Sequence, residues 1–81
     1  MNDTNARLKQ LIAELFKCDV AEVTDDTGPG DLPGWDSLGH VTLMTEIQRR
    51  FDRHVPIEEA IEVESVRDLA QILERLQGTH P

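Results

Sequence analysis

The sequence predicts an all-α fold: a four-helix bundle with three longer helices, a short one, and a long loop between the first two. Apolar residues recur at helical spacing in three separate segments, and no segment alternates with the period of a strand. The 81 residues, 38% of them apolar, suffice for one core and not for two. A single domain over residues 1–81 is therefore expected.

Leu8, Leu11, Ile12, Leu15 and Phe16 lie on one helical arc, which predicts a first helix over 4–16 with Asn2, Asp3 or Thr4 at its cap. Residues 17–35 read as a loop. Gly28, Pro29, Gly30 and Pro33 interrupt any regular element, while Val20, Val23, Leu32 and Trp35 are the apolar points expected to hold it to the body. Compact domains rarely spend so many residues on a connection unless it is functional. A second helix is predicted over 37–51, capped by Asp36 or Ser37 and stopped by His54-Val55-Pro56. Its apolar sector, Leu38, Val41, Leu43, Met44, Ile47 and Phe51, is broad enough for more than one neighbour. Its polar face is Gly39, Thr42, Glu46, Arg49 and Arg50. Residues 57–61 form one packed turn anchored by Ile57 and Ile61, too short to stand alone. Ser65-Val66-Arg67-Asp68 fits a capping box. It opens a last helix over 66–77 with Val66, Leu69, Ala70, Ile72, Leu73 and Leu76 inward and a stop at Gly78 and Pro81.

Sixteen acidic residues against eight basic ones give a net charge of -8. That balance repels phosphate backbones and anionic lipid surfaces, so neither a nucleic-acid nor a stable membrane partner is expected, and basic protein patches are favoured. Six acids and no base lie between Asp19 and Asp36. The serine at position 37 thus follows the most acidic stretch. Cys18 is the single cysteine and reads as a small packing residue of a cytoplasmic, monomeric protein.

The stretch PGWDSLGHV, from Pro33 to Val41, sets Ser37 where loop becomes helix. Amides there lack intrahelical partners and suit a covalently attached phosphate. Plain helix capping by Asp36 and Ser37 explains the same residues. Catalysis fits poorly: His40 falls on the apolar-rich side, Asp36 is not placed to orient it, and Gly34 stands one residue too early for a nucleophile elbow. Nor do Asp25, Thr27 and Asp31 follow calcium-loop spacing, and His40, His54, His80 and Cys18 form no recognisable metal set.

Taken with its surroundings, Asp36-Ser37-Leu38 at the head of the second helix resembles the acyl carrier protein family. The likeness continues through Val41, Leu43, Ile47 and Phe51, the Val55-Pro56 turn, Glu58-Glu59-Ala60 and the helix from Val66 to Leu76. It covers nearly the whole chain. The resemblance implies a four-helix acyl-carrier-like bundle of the discrete type, with 4'-phosphopantetheine from coenzyme A esterified to Ser37 by a phosphopantetheinyl transferase. Acyl or related groups would ride on the arm as thioesters in fatty-acid, polyketide or other specialised metabolism. The chain would be non-catalytic and would present them to acyl-loading and acyl-processing enzymes.

The resemblance further implies partner recognition by Asp36, Leu38, Trp35, Glu58 and Glu59, with Trp35 alternatively pinning the loop to the bundle. Val41, Met44, Ile47, Ile61 and Val66 would either line a space admitting part of an acyl chain or simply fill the core. Departures from the fatty-acid type lie on the second helix, where Gly39, Thr42, Gln48, Arg49 and Arg50 replace an acidic face. Gly39, Arg49 and Arg50 motivate a second reading, a carrier-like helical adaptor or regulatory module that binds proteins without a prosthetic group.

Overall fold

A computed structural model of the chain describes residues 3–78, which form helices α1 (Asp3–Phe16), α2 (Ser37–Phe51), α3 (Ile57–Ala60) and α4 (Val66–Gly78). No strand occurs among the described residues. The bounds of α2 are those the sequence predicts, and the other helices differ by a residue at one end. Within the loop the chain makes one 3-10 turn, Val20–Glu22, too brief to leave an apolar period. Asn2, His80 and Pro81, read above as a cap, a candidate ligand and a stop, lie outside the described residues.

The core is built by Leu8, Leu11 and Ile12 of α1, by Leu43, Ile47 and Phe51 of α2, and by Val66, Leu69 and Leu73 of α4. Val23, Leu32 and Trp35 from the loop join it, as do Val55, Ala60 and Val63 around α3. Two sequence expectations fail. Val20 is exposed and anchors nothing, and Ile57 and Ile61, expected to fix the short helix, are 76% and 74% exposed. Ala60 makes the inward contact of α3 instead. Four residues give a helix one buried side, and here the small side chain occupies it.

The helix ends are closed by local chemistry. Lys17 takes a left-handed conformation (φ 59°) and the Cys18 N–H donates to the Ala13 carbonyl at 3.0 Å, a closure that satisfies an orphan carbonyl of α1. Asp52, also left-handed, stops α2 before His54-Val55-Pro56 is reached. At α4 the Asp68 N–H donates to Ser65 Oγ at 3.2 Å. The returning half of the expected box goes one residue further out, where Asp68 accepts from the Glu64 N–H at 3.1 Å.

The long loop is held despite its composition. Its carbonyls take the first amides of α4, Thr27 O from Val66 N–H at 2.7 Å and Asp25 O from Arg67 N–H at 3.0 Å. Lys9 pairs with Asp25 at 2.9 Å and Arg67 with Asp26 at 2.7 Å, while Asn5 Nδ2–H donates to Asp25 Oδ1 at 3.2 Å. Two cations thus neutralise part of the acidic stretch and tie it to α1 and α4.

The Lys9 and Asn5 hydrogen bonds to its charged form hold the Asp25 carboxyl below the ordinary carboxylate range. A depressed native pKa adds stability in full above the unfolded value of about 3.9, and that increment is lost as pH falls through the native value. Urea unfolding across this acid range should show a steeper loss for the native chain than for Asp25→Asn.

Candidate functional site

Three aromatic rings define the junction between loop and α2. Trp35 is fully buried and lies nearly parallel to Phe16 (centroids 5.6 Å apart, 16° between planes) and to His40 (6.2 Å, 16°). Its Nε1–H donates to His40 Nδ1 at 2.9 Å. An indole nitrogen can only donate, so Nδ1 is the acceptor and the imidazole proton sits on Nε2. That proton is donated to the Ala60 carbonyl at 2.8 Å. One half-buried imidazole therefore joins the loop, α2 and the end of α3. On the sequence His40 falls on the apolar-rich side of α2, and nothing in the spacing signals this link between residues 20 positions apart. Of the two roles for Trp35, pinning is the one the structure shows, and a fully buried indole is no surface contact for a partner.

Glycine accounts for how closely the loop approaches. Gly34 turns the chain with φ +92°, and a Cβ on Gly39 would lie 1.9 Å from the Gly34 carbonyl oxygen and 3.1 Å from the Phe16 ring. Gly39 is the place where loop and helix touch, rather than a weak helix residue.

Within this frame Asp36 and Ser37 have different tasks. Asp36 Oδ1 accepts from the Gly39 N–H at 2.9 Å, and its carbonyl accepts from the His40 N–H at 2.8 Å. Asp36 is the cap. Ser37 is exposed, and its hydroxyl has no hydrogen-bond partner among the described residues. Both nitrogens of His40 are engaged elsewhere, so that imidazole is not a base for the serine.

Ser37, Val41, Met44 and Gln48 follow one another on a single face of α2. That face opens onto a groove of about 470 Å³ bounded by α3 and the segment before it. Of the five residues expected to line such a space, Val41, Met44 and Ile61 do. Ile47 and Val66 are fully buried core. Leu38 is 76% and Val41 61% exposed, so neither serves the packing the sequence assigned to the α2 apolar sector. Asp36 and Glu58 are exposed, whereas Glu59 is engaged by Arg75.

The basic end of α2 is neutralised internally: Arg49 pairs with Glu46 at 3.0 Å, and Arg50 with Glu14 at 3.0 Å and Glu46 at 3.5 Å. Burial, reinforced by Glu22 and Asp19, pushes the Cys18 thiol up and away from thiolate chemistry. Among the described residues no group of three or more His, Cys, Asp or Glu side chains is placed to hold a metal ion. No helix among them is long and apolar enough to cross a membrane.

A small helical bundle with an exposed serine heading its second helix is the architecture of a carrier domain. The family model for the phosphopantetheine attachment site matches residues 6–73. An acyl carrier protein from Akkermansia muciniphila is 31% identical over 77 residues, covering 95% of this chain and 96% of the relative. The chain belongs to the phosphopantetheine-binding, acyl-carrier-type family.

Two substitutions test the junction. His40→Phe keeps a ring but leaves the Trp35 N–H and the Ala60 carbonyl unpaired, and should cost about 1–3 kcal/mol in urea unfolding while shifting tryptophan emission to the red. Gly39→Ala, which helix propensity alone would make stabilising by about 1 kcal/mol, should destabilise by roughly 1–3 kcal/mol because the new methyl meets the Gly34 carbonyl.

Proposed function

We propose that Ser37 carries a 4'-phosphopantetheine arm and that the chain presents acyl groups, held as thioesters on that arm, to partner enzymes. The observation that carries this reading is the division of labour at the start of α2. Asp36 does the capping, and the adjacent serine hydroxyl is exposed and uncommitted. A hydroxyl needed for the cap would be costly to esterify; this one is not needed. The amides of Ser37 and Leu38 also have no partner among the described residues, and with the helix field they favour a phosphate there. The residues therefore fit the group.

In the attachment step Ser37 Oγ forms a bond to the phosphorus nearest the pantetheine. The pyrophosphate bond of coenzyme A breaks, the nucleotide half leaves, and the serine proton passes to the transferase or solvent. The arm supplies the thiol that carries cargo. Cys18, half-buried with a raised pKa, does not compete for that role.

Partner enzymes meet Leu38 and Val41 on the face of Ser37 and Ile57 and Ile61 across the groove, exposed apolar side chains flanked by Asp36 at the serine end and Glu58 on α3. That pattern suits an apolar patch with a basic border, and exposed charge of this kind speeds encounter without tight retention. The adaptor reading loses its motivating residues, since Gly39 serves packing and Arg49 and Arg50 are paired within the chain.

Incubation of apo protein with coenzyme A and a broad-specificity phosphopantetheinyl transferase should add one arm by intact mass. Ser37→Ala should abolish the addition without changing helical content. An unchanged mass beside a working control carrier would reject the carrier reading.

A further inference from the structure

The groove between α2 and α3 is apolar near Ser37 and polar at its far end. Val41, Met44 and Ile61 give way to Gln48, His54 and Glu58. Ser37 and Gln48 are 11 positions apart, about 16 Å along the helix axis at ~1.5 Å per residue. A phosphopantetheine arm has about as many backbone bonds as five extended residues, a reach of roughly 17 Å. An arm laid along this face therefore sets its thioester beside Gln48 and His54.

The far end has a defined hydrogen-bonding character. His54 Nδ1 lies 3.2 Å from Gln48 Oε1, and because an amide oxygen only accepts, Nδ1–H donates. With Nδ1 donating, the neutral form of the ring presents an acceptor at Nε2, and Gln48 keeps its two amide donors. Glu58 adds a carboxylate that has no ion pair among the described residues, and no lysine or arginine lines the groove. An acceptor and an anion welcome a hydroxyl or an ammonium group and oppose a second carboxylate.

The groove is floored by the buried Val55 and Ala60 and does not open further into the core. The carbonyl of Ala60, on its inner wall, is held by His40, and Leu43, Ile47 and Val66 are fully buried and do not reach it. A long alkyl chain starting beside Gln48 gains little burial and runs outward. It enters the bundle only if the bridge through His40 breaks.

We infer that Gln48 and His54 form a polar terminus that selects short acyl cargo bearing a hydroxyl or ammonium group, held at the surface and not inside the bundle. This rests on the carrier reading above.

The test uses holo protein whose arm has been verified by intact mass, loaded in turn with lactyl, alanyl, propionyl and octanoyl groups. The Gln48 side-chain amide and His54 ring signals are followed by NMR. Lactyl or alanyl loading should shift both signals, and a response to only one of them assigns the site to hydroxyl or to ammonium. Propionyl, with the same carbon skeleton, should leave them in place. Gln48→Ala should remove the His54 response while helical content stays unchanged. Equal shifts from propionyl, silence with every cargo, or octanoyl-induced movement of the Leu43 and Ile47 methyl signals would overturn the inference while leaving the arm in place. Failure to add the arm at all overturns the carrier reading itself.

Discussion

The arrangement of the whole functional end depends on one imidazole. His40 accepts from the buried indole of Trp35 and donates to the last carbonyl of α3, so the positions of loop, second helix and short helix are a single quantity. Removing either bond strands a polar group away from water, a penalty larger than the net worth of the bond when made. The stack of Phe16, Trp35 and His40 adds a flat apolar contact along the same line. Rigidity is thereby concentrated beside Ser37, at the junction of loop and α2.

Charge serves a different purpose on each side of the molecule. In the loop, acids close to α1 and α4 are paired by Lys9 and Arg67, which turns a self-repelling stretch into an attachment. At the end of α2, Arg49 and Arg50 are absorbed by Glu46 and Glu14. Asp36 beside the serine and Glu58 on α3 make no ion pair among the described residues. Asp19, Glu22, Asp31, Asp52, Glu62 and Glu64 likewise make no ion pair among the described residues, so the unpaired negative charge extends well beyond the serine, in keeping with the overall excess.

Much of this was legible in the sequence. Helical period located α1, α2 and α4, and turn residues located the long loop. Asp36-Ser37-Leu38 at the head of a helix pointed to the candidate site, the junction of loop and α2. The misreadings share a physical cause. Periodicity reports which residues are apolar, not which of them find a covering neighbour, and so Leu38, Val41, Ile57 and Ile61 were assigned to packing that the four-residue α3 is too small to provide. Gly39 reads in the sequence as part of the polar face of α2 because its contact, the Gly34 carbonyl, comes from a loop whose path no local rule predicts. The His40 bridge depends on three segments meeting, which spacing along the chain cannot show.

The contact between Gly39 and Gly34 bears on transplanting specificity between carriers. Residues facing outward from α2, such as Leu38, Val41 and Thr45, can be exchanged singly, since nothing inside rests on them. Phe16, Gly34, Trp35, Gly39 and His40 interlock and have to be moved as a set. A chimera that imports a foreign second helix without the matching loop would join two halves cut to different patterns, and the serine at its head would point somewhere new.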